Sequence, residues 1–223
     1  RQMVEAMQTF AKVIYDAAHA FDVTYKGQSI LQWGDASTLS FHATKLFHTV
    51  EGGAVVLHDA AADERLRLLR SFGHRNDDHI SLGMNAKMSE LHAAMGMAVL
   101  PHVERIIEQR ARICDAYDQA LADVVVKPGL PAGVSYNYAY HPVQFRDEAE
   151  REHVLAALAS QGIHCRRYFY PSLDELPYVV GRTCPHSRDA ALRTLCLPLY
   201  PDLTPQDTDR ITRALLAALD EYR

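Results

Sequence analysis

Three segments of the sequence combine side chains that could do chemistry together. The first, at 16–20, reads Asp-Ala-Ala-His-Ala; the second, at 40–45, reads Ser-Phe-His-Ala-Thr-Lys and is followed by Glu-Gly-Gly at 51–53. The third, at 83–91, begins Gly-Met-Asn. A carboxylate at the carboxyl end of a strand in an open α/β sheet lies where ligands usually bind. A lysine in the loop after a strand, flanked by hydroxyl groups, can form a Schiff base or hold a phosphate.

The acid Asp16 and the amine Lys45 are the kinds of group that pyridoxal-phosphate (PLP) chemistry needs. The lysine holds the cofactor aldehyde, and an acid beside the pyridine nitrogen keeps that nitrogen protonated. Taken singly, each has a plainer explanation, Asp16 as a turn acid and Lys45 as a surface lysine. His19 suits a partly buried structural histidine, and Asn85 suits a helix N-cap. On residue types alone these alternatives stay open.

Short strands and helices must position these segments. The first half of the chain predicts, in order, an amphipathic helix at 1–11, a buried strand at 12–16, a turn with short flanking strands at 24–34, strands at 36–41 and 54–57, and a helix at 63–72 capped by Gly73. Asn85 then opens a long helical stretch that continues to Leu121 and is interrupted at Pro101.

The pattern changes after a loop at 127–133. It then predicts, in order, a strand at 136–145, a helix at 148–160 capped by Gly162, a strand at 163–169, and a last helix with Thr204 as N-cap and Pro205 at its first position, whose apolar stripe is Ile211, Leu215 and Leu219. The chain is therefore α/β throughout. The long helix places the boundary within 100–125, and we take 1–106 and 107–223 as the two domains.

Composition indicates a globular protein with no nucleic-acid or membrane role. The 223 residues are 48% hydrophobic and carry a formal net charge of −5, and the basic residues are scattered among acids. No run approaches the roughly 18 apolar residues of a membrane helix. The four cysteines include no Cys-x-x-Cys pair, so we expect no metal site, free thiols and a cytoplasmic location.

The three segments occur in an order that resembles the DegT/DnrJ/EryC1/StrS family of sugar aminotransferases. Ser-Phe-His-x-x-Lys followed by Glu-Gly-Gly is highly specific, and Asp-Ala-Ala-His at 16–19 is moderately so. The segments 166–171, Arg-Arg-Tyr-Phe-Tyr-Pro, and 196–200, Cys-Leu-Pro-Leu-Tyr, also look like that family. The resemblance covers nearly the whole chain. It implies the PLP-dependent transferase type I fold, with the later part of a large α/β/α domain at 1–106, its sheet mostly parallel, and a smaller C-terminal α+β domain at 107–223.

The resemblance also implies a role for each matching position. Lys45 would carry the cofactor and act as general base and acid, and Asp16 would pair with the pyridine nitrogen. Ser40 would bind the cofactor phosphate, and His19 would lie near its 3-hydroxyl group. Asn85 would reach the phosphate in a neighbouring subunit, which implies a homodimer with shared active sites. Because a lysine stands where dehydratases of this fold carry histidine, transamination is favoured.

The expected reaction moves an amino group from glutamate, or glutamine, to a nucleotide-linked keto-deoxysugar, for surface polysaccharide or natural-product sugars. Candidate substrate contacts are His42, Arg167, Tyr168 and Tyr170, each of which could equally be structural. Alternatives are a cyclitol aminotransferase of the same family and a truncated, non-catalytic remnant. The remnant is considered because the family places a substantial portion, including a phosphate-binding turn and an aromatic side chain stacked on the cofactor ring, before the strand that ends at Asp16.

Overall fold

The computed structural model describes residues 11–223, which divide into two compact units. The described residues up to Arg105 form the first unit together with Ala132–Ala139, and the second comprises Ile106–Pro131 and Tyr140–Arg223. The predicted domains, 1–106 and 107–223, did not include this return of the chain to the first unit. The helix predicted at 1–11 lies outside the described residues, apart from residue 11.

The first unit is built on short strands. They are β1 (Ile14–Asp16), β2 (Thr24–Tyr25), β3 (Gln28–Ser29), β4 (Ala36–Ser40), β5 (Gly53–Leu57), β6 (His74–Arg75), β7 (Asp78–His79) and β8 (Val134–Ser135). In the main sheet β4 lies between β1, which is parallel to it, and β5, which is antiparallel. β2 pairs with both β3 and β8, and β6 with β7.

The strand before Asp16 forms, but the prediction that it is buried was wrong. Ile14 is 67% exposed, because β1 is an outer strand and no described strand pairs with its other side. Asp16 at its end is exposed as well. Of the pairings in this three-stranded sheet, only that between β1 and β4 is parallel.

Helix α1 (Ala60–Arg70) starts three residues before its predicted position. Asp59 is its N-cap, since its Oδ1 accepts a hydrogen bond from the Ala62 amide at 2.7 Å. At the other end, the Gly73 amide donates to the carbonyl oxygen of Leu68 at 2.8 Å, and Gly73 has a φ of +73°. The predicted glycine cap is therefore confirmed.

The long helical stretch does not begin at Asn85, as the sequence had predicted. Helix α2 (Glu90–Val99) starts after Ser89, whose Oγ accepts a hydrogen bond from the His92 amide at 3.3 Å. Asn85 instead forms an antiparallel bridge with Ser71. The interruption at Pro101 is confirmed as a 3-10 turn, Leu100–His102, and α3 (Val103–Leu121) follows it.

The second unit packs helices on a small antiparallel sheet. Its remaining elements are β9 (Pro142–Gln144), α4 (Glu148–Ser160), α5 (Pro185–Arg193), β10 (Thr194–Cys196) and α6 (Pro205–Tyr222). β9 pairs with β10, and isolated bridges from Val126 and Arg166 extend the pair on both sides. The core draws Tyr117, Leu158, Leu195 and Leu215, all fully buried, from four different elements.

The helices of the second unit follow the sequence closely. α4 has its predicted bounds, and Gly162 after it has a φ of +72°. Thr204 caps α6 in a capping box with Asp207, and the predicted apolar stripe of this helix is buried. Both predictions are confirmed.

Two predicted strands were wrong in extent. The run 136–145 starts just after β8 and contains strand structure only in β9, because Tyr138 has a φ of +53° and the Asn137 side chain binds the backbone there. The run 163–169 contributes only the bridge between Arg166 and Cys196. α5 was missed, although Pro185 stands at its first position.

Among residues 11–223, no helix has the length and apolar character needed to cross a membrane. In the same part of the chain, no group of three or more His, Cys, Asp or Glu side chains is arranged to hold a metal ion. All four cysteines are free thiols.

Candidate active site

Two predicted site residues lie at one edge of the main sheet because of strand direction. β1 and β4 are parallel, with Asp16 opposite Thr38, so both strands end on the same side. The Ala17 amide donates to the Thr38 carbonyl oxygen at 2.8 Å, which holds the turn after β1 against β4. Asp16 and Ser40 therefore end the two strands at a common edge, the position favoured for ligands in α/β sheets.

Both side chains at this edge take part in local turns. Asp16 Oδ1 accepts a hydrogen bond from the Ala18 amide at 3.1 Å, and Ser40 Oγ accepts one from the His42 amide at 3.4 Å. Each residue thus fixes the start of the loop that follows its strand. The predicted turn role of Asp16 is real, and it leaves a second carboxylate oxygen for other partners.

The structure brings Lys45 and His19 together. Lys45 Nζ lies 3.1 Å from His19 Nε2, although 26 positions separate them in the chain. His19 lies in the turn after β1, and Lys45 ends a turn in which its own amide donates to the His42 carbonyl oxygen at 2.9 Å. The loops after two neighbouring strands therefore present an amine and an imidazole to each other.

The surroundings of His19 keep its imidazole neutral. Burial lowers its pKa below 6.5, the positive charge of Lys45 lowers it further, and Asp16 acts in the opposite direction. A neutral imidazole with Nε2 facing an ammonium group accepts a hydrogen bond through that nitrogen. His19 thus acts as an acceptor for Lys45 Nζ.

A cluster of three aromatic rings, of which Phe47 is buried and the other two are partly buried, packs against the Lys45 loop. The ring of Phe47 stacks on that of Phe21, with centroids 4.5 Å apart, and meets Phe41 edge to face at 4.9 Å. Phe21 belongs to the His19 loop and Phe47 to the Lys45 loop. Packing between these rings therefore fixes the two loops relative to each other.

Close backbone approach explains the glycines that follow Glu51. The Gly52 carbonyl oxygen accepts a hydrogen bond from the Phe41 amide at 2.8 Å, which closes the loop. A Cβ atom at Gly52 would lie 2.3 Å from Thr49 Oγ1, and one at Gly53 would lie 2.7 Å from the Leu39 carbonyl oxygen. Only glycine fits this closure without displacing Thr49 or strand β4.

His42 is oriented by its neighbours and is half exposed. Its Nδ1 accepts a hydrogen bond from the Thr44 amide at 3.2 Å and lies 2.9 Å from Thr44 Oγ1. In the neutral ring the proton therefore sits on Nε2, which lies 3.6 Å from Glu51 Oε1. The sequence had not indicated this partnership with Glu51.

Asn85 contacts another part of the first unit. It is exposed, its backbone bridges to Ser71, and its Oδ1 accepts a hydrogen bond from Lys87 Nζ at 3.0 Å. Its predicted N-cap role was wrong, because Ser89 takes that role.

The remaining candidates lie in the second unit, where each has structural contacts. The Arg167 guanidinium carbon is 3.4 Å from the centroid of the Tyr170 ring, and its Nη1 is 3.7 Å from Glu152 Oε1. Tyr168 stacks on Phe169 and meets Tyr140 edge to face at 5.1 Å. The 166–171 segment is thus an aromatic and cationic surface with a fixed internal arrangement.

One residue of the first unit was missed by the sequence argument. Asn137 is 1% exposed, and its Nδ2 donates to the carbonyl oxygens of His19 and Phe21 at 3.0 and 2.7 Å. No local sequence motif indicates this role of Asn137, since the residue lies more than a hundred positions after the turn to which it binds. The only hint in the sequence is a polar amide inside an aromatic run, Tyr-Asn-Tyr at 136–138.

Comparison with known proteins points to one family. The model of the DegT/DnrJ/EryC1/StrS aminotransferase family matches residues 5–216. The dTDP-4-amino-4,6-dideoxy-D-glucose transaminase of Shigella dysenteriae is 38% identical over 202 residues, which are 86% of this chain and 55% of that protein.

Solved structures agree in fold. DesI, determined in the presence of its TDP-sugar product, matches with a TM-score of 0.88 at 35% identity, over 97% of this chain and 58% of DesI. The aminotransferase TlmJ from Streptoalloteichus hindustanus matches with a TM-score of 0.92 at 26% identity, over 99% and 62%. The fold is thus that of PLP-dependent sugar aminotransferases, and the chain spans between 55% and 62% of the length of these relatives.

Proposed function

The chain belongs to the DegT/DnrJ/EryC1/StrS aminotransferase family, and we propose that its protein transfers an amino group from glutamate to a nucleotide-linked keto-deoxysugar with PLP as cofactor. The observation that carries the proposal is the 3.1 Å contact between Lys45 Nζ and His19 Nε2 beside the strand ends of Asp16 and Ser40. These four side chains offer an amine, an imidazole, a carboxylate and a hydroxyl group at one sheet edge. That donor set suits the aldehyde, ring hydroxyl, ring nitrogen and phosphate of PLP.

Each residue has a distinct task in the proposal. Lys45 would hold the cofactor through Nζ and would afterwards move a proton at the carbon that gains or loses nitrogen. Asp16 supplies a carboxylate to the pyridine nitrogen, and Ser40 a hydroxyl group to the phosphate. His19, whose neutral imidazole accepts a hydrogen bond from Lys45 Nζ in this structure, would bind beside the ring hydroxyl. When bound, PLP supplies the carbonyl group that takes up the amine and a ring that accepts electrons.

The substrate class rests on the relatives. The Shigella dysenteriae protein is named for a dTDP-linked 4-amino sugar, and DesI was crystallised with a TDP-sugar. We therefore propose a thymidine diphosphate-linked 4-keto-6-deoxysugar as the first acceptor to test. His42, Arg167, Tyr168 and Tyr170 remain our candidates for contacts with it. If no sugar nucleotide is aminated, a cyclitol becomes the favoured acceptor.

We also propose that the protein acts as a cytoplasmic homodimer in which Asn85 reaches the cofactor phosphate of the neighbouring subunit. Exposed apolar side chains of the first unit support an assembly, since Leu82, Leu91 and Met97 are all more than 75% exposed. The exposed position of Asn85 leaves it available to another chain. The four free thiols fit a reducing compartment.

The test is an amine-transfer assay with purified protein, PLP and glutamate. Acceptors would be dTDP-4-keto-6-deoxy-D-glucose, its GDP-linked mannose counterpart and a keto-cyclitol, with mass spectrometry of the products. We expect a mass change from ketone to amine for a sugar nucleotide and 2-oxoglutarate in equal amount. Amination of the cyclitol alone would replace the substrate class, and no transfer to any acceptor would contradict the proposed function.

A further inference from the structure

We propose that Asn137 is a positioning residue for the candidate active site, because its amide fixes the turn that aims His19 at Lys45. The functional meaning of this inference rests on the proposed function, in which Lys45 carries the cofactor. The geometry itself lies entirely within the first unit.

The Asn137 side chain satisfies three backbone groups at once. Its Nδ2 donates to the carbonyl oxygens of His19 and Phe21 at 3.0 and 2.7 Å, and its Oδ1 accepts from the Ala139 amide at 3.1 Å. The residue is 1% exposed, so water cannot replace these bonds without a rearrangement. The amide nitrogen of Asn137 thus donates to both residues that flank Ala20, namely His19 and Phe21.

Strand pairing fixes where this amide stands. β8 lies next to β2 with Ser135 opposite Thr24, and the Lys26 amide donates to the Gly133 carbonyl oxygen at 2.7 Å. Asn137 follows β8 by two positions, so this register carries it to the turn before β2. The return of Ala132–Ala139 to the first unit therefore delivers one buried amide to the His19 turn.

A short chain of contacts leads from the amide to the amine. Asn137 holds the backbone of His19, and His19 Nε2 lies 3.1 Å from Lys45 Nζ. The second carbonyl belongs to Phe21, whose ring stacks on Phe47 in the Lys45 loop. Asn137 thus restrains both contacts between the two loops, the one from His19 to Lys45 and the one from Phe21 to Phe47. It touches neither Lys45 nor, in the proposed function, the reacting atoms.

The experiment compares Asn137→Ala with Val23→Ala. Val23 is a buried apolar residue just beyond the same turn, so its truncation weakens packing and leaves the three amide hydrogen bonds in place. The readout is the rate at which Lys45 is acetylated in the cofactor-free protein, measured by trace labelling and peptide mass spectrometry, with Lys87 as internal reference. The thermal midpoint of each variant reports its loss of stability.

We expect Asn137→Ala to raise the relative acetylation rate of Lys45 at least three-fold, because the freed turn withdraws His19 from Nζ. Val23→Ala, at a comparable drop in Tm, should leave the rate within a factor of 1.5. Equal changes in the two variants, or no change in Asn137→Ala, would overturn the inference.

A second variant covers the case in which Asn137→Ala does not fold. Asn137→Asp keeps the shape and the acceptor for the Ala139 amide but removes the paired donors to His19 and Phe21. The same rise in Lys45 acetylation is expected for it. If neither variant folds, Asn137 serves folding and the positioning role is rejected. Because the labelling needs no PLP, its result stands apart from whether the protein binds cofactor at all.

Discussion

The contact between Lys45 and His19 depends on charge as much as on distance. If His19 were protonated, the imidazolium and the ammonium group would repel each other at 3.1 Å. Burial and the Lys45 charge lower the His19 pKa below 6.5, so the contact is a hydrogen bond at neutral pH. Asp16, which acts in the opposite direction on the same pKa, is the carboxylate that the proposal assigns to the cofactor ring.

The role of Asp16 is tested by Asp16→Asn. The amide keeps the shape of the side chain but cannot hold a proton on the pyridine nitrogen, so we expect kcat/KM for amine transfer to fall roughly 100-fold, about 2.7 kcal/mol. Covalent attachment of PLP to Lys45 should persist. The control is Asp22→Asn, the same change at an exposed turn position six residues later. Equal activity in the two variants would refute the assigned role.

At the residue scale, the site residues that follow strands could be predicted from the sequence, whereas one that lies far away in the chain could not. Asp16, Ser40 and Lys45 could be grouped because the motifs that contain them resemble those of one family, and the parallel pairing of β1 with β4 places Asp16 and Ser40 at one edge. Asn137 could not, because its partner residues lie more than a hundred positions away and are bound through their carbonyl groups, which leave no trace in side-chain type. The structure gives the positions and contacts of these residues. Their roles in catalysis and cofactor binding stay predictions.

Among the elements, the start of β5 lies close to the backbone of β4. We expect Gly53→Ala to cost about 1–3 kcal/mol, because its Cβ would lie 2.7 Å from the Leu39 carbonyl oxygen of the paired strand. Gly129→Ala is the control, since a Cβ there meets no atom within 4 Å. Urea unfolding of both variants measures the difference in the free energy of unfolding. Equal stabilities would show that the backbone at Gly53 can shift to accommodate a Cβ atom, contrary to this prediction.

Element prediction succeeded where local chemistry sets the ends. α4 and α6 begin at side chains that cap their own first turn, and those caps are visible in the sequence. It failed where distant pairing decides. Asn85 has the residue type of a cap, but its backbone forms a bridge with Ser71 after α1. The 136–145 run is broken where the Asn137 side chain binds the His19 turn.

On the scale of the molecule, one buried histidine decides how the second unit should respond to acid. His141 is buried in the second unit beside Tyr117, and burial, followed by the charge of Lys127, lowers its pKa from 6.5 to about 4. Asp118, 3.7 Å from His141 Nε2, opposes this shift only partly, so the contact is not an ion pair at neutral pH. As pH falls below 6.5, the His141 imidazole is therefore protonated in the unfolded chain before it is protonated in the folded protein.

The buried neutral His141 therefore makes the second unit acid-sensitive. We expect its contribution to the free energy of unfolding to be complete above pH 6.5 and to be lost between pH 6.5 and about 4, by up to about 3 kcal/mol. Urea titrations across this range, followed by circular dichroism, measure the slope. His141→Phe should flatten it, whereas His164→Gln, which removes an exposed imidazole from the same unit, should not. Parallel slopes for His141→Phe and the unaltered protein would contradict this assignment.

The central claim is that Lys45 carries the cofactor, and borohydride reduction tests it most directly. The purified protein would be incubated with PLP, reduced, digested and analysed by peptide mass spectrometry, beside Lys45→Ala treated in the same way. We predict a reduced phosphopyridoxyl group on Lys45, with loss of the visible absorbance band, and neither band nor modification in Lys45→Ala. A modification spread over exposed lysines such as Lys12 and Lys87, unchanged by Lys45→Ala, would contradict the account.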